Sequence, residues 1–417
     1  MTTQTDIGTL VDPETRRCPY AFYARMREQA PVYIMPGTDF YTVSRYDLVI
    51  AVLQDRENYS NTFPAGQTSF VNFLPEADAL LAEKGYGRRV PTIVFSDPPV
   101  HTAYRKLLAE PFRPSLIKGM ESGVRAILRT LLDDMKDDGV YNIVDTLLTP
   151  LPMFVLAEWM GVDSNDYLRF KKWSLAANYT LQAPQSRETL LRYAETIAEM
   201  QHYFMDLMEK RRVEPKDDLI SQFQAATLGG ERPMTTKETL SLLETLLVAG
   251  NETTTNAMSN GMYILVQDDA LLARLRAEPD KVPAFCEELL RMESSVTGIF
   301  RRTKRDMEIA GVTIPEGAKL FLSIAAANRD EAQFAHGDLI DLDRRNIRGH
   351  VAFGSGYKTC SGNQLARMEL QVFFDMFLKE FEEIRLAIPV EEVKFQDLLG
   401  LRGLAELPLH LARKKAA

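Results

Sequence analysis

One segment constrains this chain more than any other: Phe353-Gly354-Ser355-Gly356-Tyr357-Lys358-Thr359-Cys360-Ser361-Gly362, which runs directly into the helical pattern Gln364-Leu365-Ala366-Arg367-Met368-Glu369-Leu370. Two closely spaced glycines permit a tight loop with positive φ, and the third, just past the cysteine, lets a bulky group approach the helix backbone. The cysteine is thereby set at a helix N-terminus. Free N–H groups and the positive end of the helix dipole there favour thiolate over thiol, the form that a metal requires. The glycines alone favour a loop around an inert buried cysteine.

Composition narrows what the loop can serve. The three cysteines, Cys18, Cys286 and Cys360, are too few and too scattered for a disulfide framework or a four-thiolate zinc site, as suits a reducing cytoplasm. Any cysteine chemistry comes from a single thiol. The five histidines make no HxxxH or HExxH pair, which argues against a helix-borne zinc site. With 49 basic and 58 acidic residues, a net charge of −9 and no long Lys/Arg block, a nucleic-acid groove is not expected. No apolar run approaches the ~20 residues of a membrane span, and the first residues lack signal-peptide character. A cytoplasmic protein is expected, neither membrane-bound nor exported.

Strand signals are few. Val32-Tyr33-Ile34-Met35 and Phe40-Tyr41-Thr42-Val43 flank Pro36-Gly37-Thr38-Asp39 as a hairpin, and residues 307–309, 312–314 and 320–324 read as a meander turning at Gly311 and Gly317. Residues 116–135, 188–212 and 366–382 repeat apolar side chains at three and four, the helical period. The expected fold is mainly α with small β sheets. Without repeats or a Gly/Ser linker, residues 1–417 read as a single large domain. Residues 61–96 are the least regular stretch, which marks a lid or substrate loop or an ordinary surface excursion.

The full Phe-Gly-x-Gly-x-basic-x-Cys-x-Gly arrangement resembles the cytochrome P-450 heme-thiolate family. The resemblance implies a cytochrome P-450 fold and heme b, with Cys360 as the axial iron ligand, a thiolate that assists O–O cleavage. Phe353, Gly354 and Gly362 belong to the same cofactor loop. Lys358 stands where the family usually has His or Arg against a heme propionate; it keeps the charge and loses the planar fork.

A second match lies in the apolar pattern of residues 240–265, interrupted by Gly250-Asn251-Glu252-Thr253-Thr254-Thr255-Asn256. Such a polar, β-branched run lowers helix propensity and is costly in a buried helix without a purpose, although a helix end with a Thr-rich turn would also explain it. Ala249-Gly250-x-Glu252-Thr253-Thr254 resembles the family's acid-alcohol motif. It implies that Thr253 holds dioxygen or its protons, that Glu252 feeds protons from solvent, and that Gly250 lets the helix open beside the ligand.

Three further matches complete the resemblance. Glu288 and Arg291 share a helix face, where a surface ion pair is worth only ~0.5 kcal/mol; with Arg344 they resemble the family's structural triad. His101 and Arg105, four apart at a helix start, and Arg301 in the strand before the meander resemble propionate-binding cations. Arg302 would point to the opposite strand face. By analogy, the pocket above the heme takes residues from 61–95, before Gly250 and from 295–300, with Phe63, Phe70, Phe73, Val248, Val296, Ile299 and Phe300 making it apolar.

The implied function is a monooxygenase that uses O2 and two electrons to hydroxylate or otherwise oxidise an apolar small molecule: a terpenoid, steroid, fatty acid or aromatic compound. With no fused reductase domain expected, a ferredoxin and its reductase are the implied electron donors to what should be a monomer. Arg113, Lys118, Arg345, Arg348 and Lys358 are candidates for a basic patch that receives an acidic ferredoxin. The alternatives are a peroxygenase or isomerase of the same fold, or a non-catalytic heme-binding sensor. The Glu252-Thr253 pair argues against them, because they need no organised proton delivery. Cys18 and Cys286 receive no role.

Overall fold

The 30-residue helix Thr236–Leu265 organises the molecule. Its start is fixed by a capping box: the Thr235 hydroxyl accepts from the Glu238 N–H while the Glu238 carboxylate accepts from the Thr235 N–H. Arg232 adds a two-pronged ion pair to Glu238. The helix passes through two apolar cores. Leu240, Leu242, Leu243, Leu246 and Leu247 pack with helices Pro150–Met160 and Arg187–Val213. Ala257, Met258, Met262 and Leu265 pack with helices Pro114–Asp134, Val282–Met292 and Asn363–Glu380. The polar interruption at 250–256 therefore lies at the junction between the cores.

The computed structural model describes residues 7–62, 74–163, 166–181 and 185–414. The fold is mainly α with small sheets, as the sequence predicts. The predicted hairpin forms as antiparallel strands Val32–Ile34 and Phe40–Val43. These head a five-stranded sheet completed by Lys319–Leu322, Ile299–Thr303 and Tyr59–Ser60, in that spatial order. A second sheet joins Phe381–Leu386, Pro408–Arg413 and Gly139–Asn142.

Two expectations are corrected. Met307–Ile309 and Val312–Ile314 pair only with each other among the described strands, whereas Lys319–Leu322 runs parallel to Phe40–Val43 and antiparallel to Ile299–Thr303. The turn at Gly317 (φ +77°) sends the chain back along Thr303, to which the Gly317 N–H donates, instead of continuing a meander. Ser323 then ends the strand, and residues Ile324–Ala327 are helical. Within the irregular stretch, residues Pro75–Lys84 form a helix with proline at its first position and Glu76 and Asp78 in its first turn, two helix-start signals.

Candidate active site

The cysteine loop meets the demands its sequence sets. Gly354 and Gly356 adopt φ of +71° and +69°, and the Cys360 N–H donates to the Phe353 carbonyl at 2.9 Å, closing the turn. Helix Asn363–Glu380 begins directly after Gly362. Burial raises the Cys360 thiol pKa, against the Gly362 N–H and the charges of Arg105 and Arg367, which lower it. The helix end alone therefore does not make a thiolate here. Yet the Cys360 side chain is accessible. The sulfur thus faces open space that a bound group could occupy.

Gly362 borders the same space. Its φ of −81° suits any residue, and an added Cβ would meet only Phe112 at 3.6 Å and the Cys360 Sγ at 3.9 Å. Protein packing does not demand glycine there, and its absent side chain leaves room beside the sulfur for a bound group. On helix Thr236–Leu265, Ala249 is exposed and Val248 and Thr253 are half-buried, although the flanking turns are buried.

Four basic side chains, His101, Arg105, Arg301 and Lys358, lie beside the cysteine loop. Arg301 is buried, and its Nη1 donates to the Phe300 carbonyl at 2.8 Å; no carboxylate lies within ion-pair reach of it among the described residues. Burial pulls its pKa down to about 10. Lys358 is pulled to about 7 by burial and by repulsion from Arg301. His101 is pulled to about 4 by burial, then by Lys358 and Arg105. The neighbouring carboxylate, Asp97, is occupied by the Ser60 hydroxyl (2.5 Å) and the Asn61 N–H (2.9 Å) and Nδ2 (3.1 Å). Buried together, such basic groups give up protons unless an anion joins them and holds them charged. A heme with two propionates satisfies the donor set, the glycine cradle and the accessible thiol together, so the residues fit the cofactor.

Individual side chains depart from simple expectation. Lys358 turns inward, donating to the Ile93, Val94 and Ser96 carbonyls at 3.2, 3.0 and 2.6 Å. It therefore does not join Arg113, Lys118, Arg345 and Arg348, which are exposed. Arg105 Nη1 donates to the Thr359 carbonyl and to Ser361 Oγ, the latter at 2.8 Å, reaching across to the cysteine loop.

Glu252 is buried, and burial raises its carboxyl to about 7, opposed only by the charge of Lys171. Lys171 in turn pairs with the exposed Asp145 at 2.7 Å. Thr253 Oγ1 donates to the Ala249 carbonyl at 2.9 Å. Gly250 does not open the helix, which is continuous from Thr236 to Leu265. An added Cβ there would lie 2.9 Å from Leu156, so glycine serves the approach of helix Pro150–Met160.

The triad residues meet as an ion network, but a buried one, so the surface value does not apply. Glu288 takes both prongs of Arg291 (2.8 and 3.0 Å), Arg344 Nε at 2.9 Å and the Asp341 N–H at 2.7 Å. The remaining donors of Arg291 go to the carbonyls of Asn328, Gly337 and Leu339.

Of the expected pocket residues, Phe63, Phe70 and Phe73 lie outside the described residues. Val248, Val296 and Ile299 are half-buried. Phe300 is corrected. Strand alternation puts Ile299 and Arg301 on one face and Phe300 on the other, where its ring packs on Phe40 (5.1 Å) and Phe321 (5.2 Å).

Comparison with known proteins agrees with this geometry. The profile of the family described as Cytochrome P450 matches residues 32–387. The 6-deoxyerythronolide B hydroxylase of Saccharopolyspora erythraea is 32% identical, covering 94% of this chain and 96% of the relative. Nocardicin C N-oxygenase of Nocardia uniformis subsp. tsuyamanensis is 33% identical over 93% and 94% of the two chains. The structure of cytochrome P450 CYP109Q5 from Chondromyces apiculatus superposes with a TM-score of 0.84 at 33% identity, covering 98% and 99% of the two chains.

Proposed function

This chain belongs to the cytochrome P450 family and is a heme b monooxygenase, and we propose that it oxygenates an apolar small organic molecule with electrons from a ferredoxin and its reductase. When bound, the heme supplies the redox chemistry: substrate, O2, two electrons and two protons give the oxygenated product and water. In this reading Cys360 Sγ is the iron ligand, seated by the Phe353 carbonyl and the Gly354/Gly356 turn. His101, Arg105, Arg301 and Lys358 form the cationic rim for the propionates, and Phe353, Gly354, Gly362, Ala249 and Gly250 shape the slot.

The observation that carries the catalytic reading is Glu252. A carboxyl held near pH 7 in the polar break of helix Thr236–Leu265 can keep a proton and release it under neutral conditions. Thr253 Oγ1 is adjacent and can pass that proton into the pocket once it leaves the Ala249 carbonyl. Lys171, paired with exposed Asp145, supports a route from solvent to Glu252.

Val248, Val296 and Ile299 support an apolar pocket wall, with terpenoids, steroids, fatty acids and aromatic compounds as the substrate classes. Exposed Arg113 follows Phe112, whose ring neighbours Gly362, so positive charge borders the cysteine loop and supports an acidic electron donor. No helix among the described residues is long and apolar enough to cross a membrane; a cytoplasmic, monomeric enzyme accords with this reading.

The reading is tested by turnover under 18O2 with reduced ferredoxin, using substrates chosen by their spin-state shift. One labelled oxygen in the product is expected. Product formed only with peroxide, or an unlabelled product, contradicts it.

A further inference from the structure

A second charged cluster lies behind the cysteine loop and is absorbed by none of the roles above. Glu287 is buried on helix Val282–Met292, next to the triad's Glu288. Its carboxylate takes two guanidinium prongs from Arg367, at 2.6 and 3.2 Å, and His350 Nε2 lies 3.0 Å from Oε2. Both partners then lead to Phe353. The Arg367 guanidinium stacks over the Phe353 ring, 4.5 Å from its centroid. The other ring nitrogen of His350, Nδ1, accepts the N–H of Ala352, the residue just before Phe353, at 3.2 Å. Phe353 itself accepts the Cys360 N–H through its carbonyl. One carboxylate thus grips the ring and the backbone of the residue to which the cysteine is tied.

We propose that Glu287, acting through Arg367 and His350, is a positioning residue for the cysteine loop: it clamps Phe353 and balances the cationic charge beside Cys360, so setting how strongly the sulfur donates to iron. The inference rests on the reading of Cys360 as the ligand. Arg367 lies on the helix that begins directly after the cysteine loop, and its guanidinium stacks on Phe353, whose carbonyl holds the Cys360 N–H. Glu287 is itself held at about 2, burial being outweighed by His350 and Arg367, so it stays ionised at working pH. A cluster that served only folding would need neither the stack on Phe353 nor the bond to Ala352.

The test uses the heme-loaded protein and two readouts, the iron reduction potential and the lifetime of the thiolate-type Soret band of the reduced CO complex. Glu287→Gln leaves Arg367 unbalanced and should raise the potential. Arg367→Gln removes the cation and should lower it. Both should shorten the band's lifetime at least tenfold. Arg367→Lys keeps the charge and should hold the potential while still shortening the lifetime, because the fork and the stack are lost. Arg125→Gln, which breaks the 3.2 Å pair to Asp375 on the same helix as Arg367, controls for general loosening and should change neither readout. Potentials that move the same way in Glu287→Gln and Arg367→Gln, or lifetimes equal to wild type, overturn the proposal. A wild-type protein without the thiolate band would instead remove the ligand reading, and this proposal with it.

Discussion

Glu288 and Glu252 are both buried carboxylates on helices, and the structure treats them in opposite ways. Glu288 is surrounded by Arg291, Arg344 and the Asp341 N–H. Glu252 has no hydrogen-bond partner among the described residues, and burial lifts it to about 7. Full pairing makes a charge part of the scaffold, because any movement would strand it. A lone carboxyl at the junction of two cores is a cost to folding, and in the proposed reading it is kept for handling protons. In the proposed reading, the contrast separates what holds the site from what works in it.

The sharpest break of that contrast is at the scaffold end. Glu288→Ala leaves two arginines buried without their anion and should cost about 3–5 kcal/mol, read from urea unfolding of the heme-loaded protein. A loss below about 1 kcal/mol would mean that the network carries little of the fold.

At the working end the effect should fall on chemistry and spare stability. Glu252→Gln should cut product formation by about 100-fold and remove the pH dependence of turnover near 7, with the heme spectrum unchanged. Thr253→Ala should keep oxygen consumption while diverting it to peroxide. Coupling equal to wild type in Thr253→Ala would contradict the proton route.

The smallest effect tests whether an elevated carboxyl is by itself a sign of catalysis. Glu244, also raised to about 7 by burial, accepts from Gln201 Nε2 at 2.9 Å and lies 3.8 Å from Arg89 Nε. Its ordinary value is 4.5, so the folded chain keeps this proton to higher pH than the unfolded one. Stability then falls as pH rises from 4.5 towards 7. Glu244→Gln should flatten that fall, by no more than about 3 kcal/mol, and leave turnover alone. An effect of Glu244→Gln on coupling as large as that of Glu252→Gln would erase the distinction between them.

The residues differ in how readable they were. Cys360, the glycines and the polar break in an apolar helix are local patterns, and local patterns fix turns, helix starts and a misfit polar run. The triad was readable as a resemblance, but its burial was not, since Arg344 reaches Glu288 only through the packing of a distant loop. The Glu287–His350–Arg367 cluster joins residues 63 and 80 positions apart, and no spacing announces it. A second such cluster, Glu293 with Arg329 (2.5 Å) and Arg402 (2.9 Å), escaped for the same reason. Lys358 was recognised as a cation, but its destination depends on carbonyls at 93–96, more than 260 residues away. Phe300 was misplaced because an apolar residue beside a pocket segment reads alike on either face; only the strand register decides.

In the proposed reading one thiol, Cys360, holds the heme. The direct measurement is the reduced, CO-treated spectrum of wild type beside Cys360→Ala, both reconstituted with heme. Wild type should show the red-shifted Soret band of a thiolate-ligated heme, and the variant should lose it completely. The same band in Cys360→Ala would contradict the account.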